Sequence, residues 1–216
     1  PIERAVRELG ERLARRVASE RAFTAHAAHA LRTPLAGIDA QLAVALKEAP
    51  DTLQARLRSV RQASTRLARV VQALLSMFRS GMEPQRQRFA LADLVASLGS
   101  GGLRVVCEGE PQLRADADLL AAVLMNLLDN AQRHGAGQVR LRVSRDQGQN
   151  RLDVLDDGEG CDSATRARLR AALAQQDHGA DGLKGLGLVL ADLVMRAHDG
   201  HMSLPDVAQG FGVSLV

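Results

Sequence analysis

The chain has 216 residues, enough for one large domain or two small ones with a real core. Hydrophobic residues make up 46% and charged residues 25%, an ordinary balance for a globular protein, and the formal net charge is only +3. With no Trp, no Tyr and four Phe, the chain is not expected to offer stacking platforms to nucleic acid; its arginines read as solvated helix faces.

Cys107 and Cys161 lack metal-ligand spacing, and the natural reading is two reduced thiols in a cytosolic compartment. No apolar run approaches the ~20 residues that span a bilayer, and no signal peptide is expected. The chain opens abruptly in helix-like sequence, as a piece of a longer protein would.

Residues 1 to about 80 read as helix. Ile2, Val6, Leu9 and Leu13 recur at steps of three and four, and so do Leu31, Leu35, Ile38, Leu42 and Ala45, in a frame that has slipped by one residue. Pro50 breaks the pattern, and Asp51 is placed to cap a second helix. Leu53, Leu57, Val60, Ser64, Leu67, Val71, Leu74 and Phe78 then keep a seven-residue repeat, which asks for helical partners along its length. Two such hairpins paired as a four-helix bundle would cover that seam.

Gly81 and Pro84 mark a linker. Beyond it, short apolar runs (Leu103–Cys107, Val139–Val143, Leu152–Leu155) alternate with helical stretches (Leu91–Leu98, Asp118–His134, Leu186–Ala197). The second half is therefore expected to be mixed α/β.

Four motifs carry chemistry. The first runs from Phe23 through His26, His29, Ala30, Leu31, Arg32, Thr33 and Pro34 to Leu35. With Ala28, Leu31 and Leu35 on the buried seam, His29 stands just outside it, beside the kink that Pro34 brings. A neutral imidazole there is a competent nucleophile, although an ordinary surface histidine would look the same. In the second motif, Asn126, Asn130 and Arg133 share one helical face, ahead of His134. Amide oxygens suit a Mg²⁺ that also carries substrate phosphates, and Arg133 suits the phosphates themselves; a solvated polar helix face is the plain alternative. The third, Asp156-Asp157-Gly158-Glu159-Gly160, comes after an apolar strand, and an aspartate there can accept from an adenine amino group. The fourth, Gly182-Leu183-Lys184-Gly185-Leu186-Gly187-Leu188, leads into a helix whose N–H groups favour anions. A turn and a helix start would explain the last two equally well.

Taken in order, the motifs resemble those of the sensor histidine kinases. Six of the seven residues of the HisKA-type H box, His-Glu-Leu-Arg-Thr-Pro-Leu, stand at His29–Leu35. The other three resemble the N box and the two glycine boxes of the GHKL ATP-binding fold, which is shared with gyrase-type ATPases and certain chaperones. Gly210-Phe211-Gly212 resembles the closing turn of that fold.

The resemblance implies a signalling or linker helix over 1–20, a dimerisation and histidine phosphotransfer domain over 21–82, and a catalytic ATP-binding α/β sandwich over 83–216. It implies His29 as phospho-acceptor and Thr33 as the residue that positions a water for dephosphorylating a partner. Asn130 would hold Mg²⁺ with Asn126 nearby, Arg133 would approach the phosphates, His134 would pack by the nucleotide and Asp156 would read adenine. Gly158 and Gly160 would shape the pocket, Gly185 and Gly187 would flank the phosphates, and residues 162–181 would form a lid. The implied whole is the cytoplasmic core of an inner-membrane-anchored bacterial homodimer. It would use ATP and Mg²⁺ and pass phosphate to a response-regulator receiver domain, without nucleic acid.

The sequence also departs from the family. Ala30 replaces the usual acid after the histidine, Leu183 stands at the first glycine of the second glycine box, and no Phe lies between Phe89 and Phe211. These departures point to slow phospho-acceptance, and in the extreme to a phosphatase-biased or non-catalytic dimeric scaffold. A GHKL-type ATPase or serine kinase is a further alternative, opposed by the intact Leu31–Leu35 run.

Overall fold

The computed structural model describes residues 30–31, 33–79, 83–98, 102–109, 111–146, 149–176 and 186–216. It divides into two compact units, Pro1–Glu83 and Pro84–Val216.

In the first unit, α1 covers 33–48 with Pro34 inside it, and α2 covers Asp51–Arg79. Asp51 is the first residue of α2 itself, and its Oδ1 accepts from the Gln54 side chain at 3.2 Å. The cap expected of Asp51 thus becomes a first-turn charge, which complements the helix dipole. Arg61 meets Asp39 through two bonds, at 2.9 and 3.2 Å. The two residues stand equally far from the Pro50 turn, so the helices form an antiparallel hairpin. Leu31 and Ile38 lie seven residues apart, as do Leu53, Val60 and Leu67, and all are more than two-fifths exposed. Leu31, expected on a buried seam, is thus open on the single chain, because one hairpin offers nothing to cover it.

The second unit begins with β1 (Gln87–Ala90) and α3 (Leu91–Leu98), followed by β2 (Arg104–Glu108) and β3 (Gln112–Ala115). Then come α4 (Ala117–Arg133), β4 (Gln138–Asp146), β5 (Gln149–Asp156) and α5 (Ser163–Gln175). The last elements are α6 (Leu186–Ala197), β6 (Met202–Ser203) and β7 (Gly212–Leu215). β1 pairs with β3 in a two-stranded ribbon, and the main sheet runs β2-β4-β5-β7-β6, with only β2 and β4 parallel.

One face of the sheet carries Val139, Leu141, Leu152, Val154, Val213 and Leu215, all buried against the helix layer, in which α4 packs on α6. Asp116 caps α4, accepting from the Leu119 N–H at 3.1 Å, and Gly135 ends the helix at φ +75°. α5 corrects one expectation. Its N-cap is Asp162, and Leu169, Ala172 and Leu173 bury it, so most of the stretch expected as lid is a packed helix. Arg170 ties α5 down by donating to the Leu204 carbonyl at 2.6 and 2.9 Å. Among the described residues no helix is long and apolar enough to cross a membrane.

The opposite face of the sheet buries a charge. The Asp153 side chain is 3% exposed and accepts from Ser214 Oγ at 2.6 Å, Arg151 at 2.8 Å and Arg142 at 3.1 Å. Burial alone would raise its pKa; the Ser214 and arginine bonds outweigh burial and hold it below the usual carboxylate range. That stabilisation is complete above the unfolded-state pKa near 3.9 and is lost as pH falls through the lowered folded value. Asp153→Asn is therefore expected to cost about 2 kcal/mol of stability at pH 7. Thermal melts of parent and variant at neutral and strongly acid pH check this: the gap should shrink in acid, and an equal gap at both would contradict it.

Candidate functional site

Asn126 lies on the buried face of α4 and is 2% exposed. Its Nδ2 donates to the Ala122 carbonyl at 2.8 Å, while its Oδ1 is buried without a partner among the described residues. Leaving such an oxygen unmatched costs roughly 1–3 kcal/mol, so the position asks for a donor or a cation. Gly187, the second residue of α6, explains how α6 comes so close: a Cβ there would stand 3.3 Å from the Asn126 Cβ. One turn further along α4, half-buried Asn130 accepts from Arg133 Nη2 through its Oδ1 at 3.1 Å. Arg133 and His134 are exposed at the helix end.

The end of α4 is stitched to the loop that leaves β5. The Glu159 N–H donates to the His134 carbonyl at 2.9 Å, and a Cβ on Gly158 would meet that same carbonyl at 2.6 Å. Asp157 Oδ1 accepts from the Gly137 and Gln138 N–H groups, both at 2.9 Å. The Gln138 bond, with Gly137 behind it, lowers the Asp157 pKa against a weaker desolvation effect. Asp157 holds the turn from α4 into β4 against the glycine loop, a task that sequence reasoning left unassigned. Its only signal was a second aspartate beside Asp156.

A third segment closes on the same place. Asp156 ends β5; its N–H donates to the Phe211 carbonyl at 3.0 Å, and its Oδ1 accepts from the Gly158 and Phe211 N–H groups, each at 3.0 Å. Two donors on one oxygen fix the carboxylate plane, and Oδ2 carries no partner among the described residues. Gly210 sits at φ +75°, where a Cβ would collide with the Asp156 carbonyl. Gly160 sits at φ +69°, where a Cβ would collide with the Gly210 carbonyl. Only glycine permits both the backbone angle and the approach. Gln209 Nε2 adds a bond to the Asp157 carbonyl at 3.1 Å.

The described site thus offers an oriented carboxylate oxygen, two amide oxygens on one helix face and an exposed guanidinium. No group of three His, Cys, Asp or Glu suited to a metal occurs among the described residues. A cation here would meet neutral amide oxygens and would depend on a polyanionic ligand for charge, which is the manner in which Mg²⁺ travels with phosphates. The donor set fits that ion. Gly185 lies outside the described residues, as do His26 and His29. Thr33 lies in the first unit, exposed in the opening turn of α1.

Comparison with known proteins agrees with this division. Residues 19–83 match the family model of the His Kinase A (phospho-acceptor) domain. Residues 115–215 match the model described as histidine kinase-, DNA gyrase B-, and HSP90-like ATPase. The alginate biosynthesis sensor protein KinB of Pseudomonas aeruginosa is 28% identical over 220 residues, covering 92% of this chain and 36% of that protein. The sensor protein BasS of Escherichia coli is 30% identical over 219 residues, covering 93% of this chain and 58% of that protein. The chain therefore spans between about a third and three-fifths of these relatives. The solved structure of Acinetobacter baumannii histidine kinase AdeS superposes with a TM-score of 0.53 at 17% identity, covering 87% of this chain and 96% of that one, and shares its fold.

The glycine geometry makes a direct prediction. Gly158→Ala puts a methyl group against the His134 carbonyl and should weaken adenine-nucleotide binding at least about tenfold, or 1.4 kcal/mol. Gly137→Ala, whose methyl meets only Asp157 Oδ2 at 3.9 Å, should bind as the parent does. Titration with a fluorescent nucleotide checks the pair; equal losses in both would contradict the assignment.

Proposed function

The chain belongs to the two-component sensor histidine kinases, and we propose that it transfers the γ-phosphoryl group of ATP to His29 and then to an aspartate of a response-regulator receiver domain. The observation that carries this reading is the convergence of the α4 end and the 209–211 turn on the 156–160 loop, with the Asp156 carboxylate fixed by the Gly158 and Phe211 N–H groups. That arrangement leaves one oxygen to accept from an exocyclic amino group.

In this reading Asp156 accepts from the adenine amino group, and Gly158 and Gly160 keep the pocket open. His134 packs beside the nucleotide, and Arg133 draws the phosphates toward α4. Asn130, with Asn126 behind it, would hold Mg²⁺. That ion would neutralise charge on the phosphates and keep them in line for attack. Gly185 and Gly187 flank the phosphates where α6 begins. Catalysis then rests on position and charge rather than on covalent chemistry by the ATP site.

At His29 one ring nitrogen attacks the γ-phosphorus while the other keeps its proton. The bond from the γ-phosphorus to the bridging oxygen breaks, and ADP leaves. Thr33 would orient a water for removing phosphate from the regulator. Residues 1–20, which lie outside the described residues, would serve as the signalling or linker segment, 21–82 as the dimerisation and phosphotransfer domain, and 83–216 as the catalytic domain. The exposed heptad residues Leu53, Val60 and Leu67 favour a homodimer through a four-helix bundle. The protein would be the cytoplasmic part of a membrane-anchored bacterial sensor.

Ala30, exposed on its helix, brings a methyl group where the family carries an acid that supports the neighbouring imidazole. General-base assistance is typically worth ~100-fold or more, so acceptance at His29 should be slow. Incubation with γ-labelled ATP and Mg²⁺ tests the reading. The parent should take up acid-labile label, His29→Ala none, and Ala30→Glu should label at least about tenfold faster. Acid-stable label, or label retained in His29→Ala, would contradict the proposal; no gain in Ala30→Glu would contradict the role given to the methyl group.

A further inference from the structure

A cavity of about 220 Å³ opens in the second unit at the end of α4 remote from Asn130. Its floor is apolar: Leu113, Leu120, Leu152, Met195 and Leu215 all line it and are each buried. An apolar cavity of roughly 150 Å³ already holds benzene, so this one has room for a compact group of about ten heavy atoms.

The rim carries charge. Arg86 and Arg114 line the cavity. Register places Arg88 directly opposite Arg114 in the β1–β3 ribbon, and both are exposed. Like charges directly opposed across two strands destabilise the ribbon unless something answers them. The acids nearby answer only in part. Asp199 pairs with Arg86. The Asp116 carboxylate is used up as the α4 cap, accepting from Leu119 N–H through Oδ1 and from Gln85 N–H through Oδ2. No hydrogen bond or ion pair engages Arg114 among the described residues.

The wall between floor and rim is fixed and uncharged. His198 Nδ1 faces the Val194 carbonyl at 2.8 Å, and Nε2 accepts from the Asp116 N–H at 2.9 Å. A carbonyl needs a donor and an N–H needs a lone pair, so the proton sits on Nδ1 and the ring is neutral. The cationic demand therefore falls on the arginines.

We propose that this cavity binds a small amphipathic carboxylate, its apolar body on the Leu120–Met195 floor and its acid group on Arg114. The site is separate from the nucleotide residues: Leu120 stands in the first turn of α4 and Asn130 in the last, about 15 Å apart along the helix. A bound acid would answer the Arg88–Arg114 pair and rest against the α4 start and the α6 end together.

Octanoate, with about ten heavy atoms, is the probe, and the Met195 methyl is the reporter. The whole chain is labelled with ¹³C-methyl methionine, and the Met195 resonance is identified by its loss in Met195→Leu. Octanoate should shift it saturably, and Arg114→Gln should weaken that binding about tenfold, the worth of one charge-assisted bond. Octan-1-ol should bind more weakly and ignore the Arg114 change, inorganic phosphate should leave the methyl unmoved, and saturating ATP with Mg²⁺ should not compete. The proposal is overturned if octanoate gives no saturable shift or binds Arg114→Gln as well as the parent. Octan-1-ol or phosphate binding as tightly as octanoate would overturn the ligand class, and displacement by ATP would overturn the site.

Discussion

The carbonyl of Asp156 leaves no room for a side chain on Gly210, and the candidate site in the second unit is arranged around that contact. Because Gly210 lies against it at φ +75°, the Phe211 carbonyl can accept from the Asp156 N–H while the Phe211 N–H donates to the Asp156 carboxylate. Because Gly158 and Gly160 also lack side chains, the loop after β5 can fold under the α4 end and against the Gly210 carbonyl. The turn at 210–211 is thus held on the Asp156 carboxylate, and the α4 end is held on the same loop through the bond from the Glu159 N–H to the His134 carbonyl. An oxygen fixed by two donors pays its ordering cost on folding, so the other meets a ligand already aimed.

A second close approach sets the amide-bearing face of α4. Gly187 lets α6 begin against Asn126, whose buried amide has its nitrogen satisfied by its own helix and its oxygen without a partner among the described residues. Asn130, one turn on, remains half-buried and within reach of Arg133. The two amides therefore differ in kind: one is held rigid by burial, the other is adjustable at the surface. In the proposed function the charge they lack would come with the ligand, which would tie cation and nucleotide binding to each other.

Much of this was legible because glycines and amides leave a spacing in the chain. α3 and α6 keep to their apolar periodicity to the residue, and α4 differs by one position at each end. The places of Asn126 and Asn130 in one helix and of Asp156 at a strand end were legible for the same reason. β1 and β3 were not, since four residues such as Gln87–Ala90 are too few for alternation, and they exist because Phe89 pairs opposite Leu113. β7 was hidden by Ser214, a polar residue buried only because Asp153 and Arg151 satisfy it. α5 was mistaken for lid because its Ala- and Arg-rich sequence shows little amphipathic contrast; Leu169, Ala172 and Leu173 suffice to pack it. Asp157 works through backbone N–H groups, which no side-chain pattern announces.

In the proposed mechanism, Asp156 is the group that recognises the base. Inosine triphosphate differs from ATP in carrying an oxygen where adenine carries its amino group, and so turns a donor toward Oδ2 into an acceptor. Calorimetric titration of the whole chain with each nucleotide, beside Asp156→Asn, measures that difference alone. The parent should favour ATP by at least about tenfold, the worth of one hydrogen bond to a charged group, and Asp156→Asn should lose most of that preference. Equal affinity of the parent for both nucleotides would contradict base recognition by Asp156.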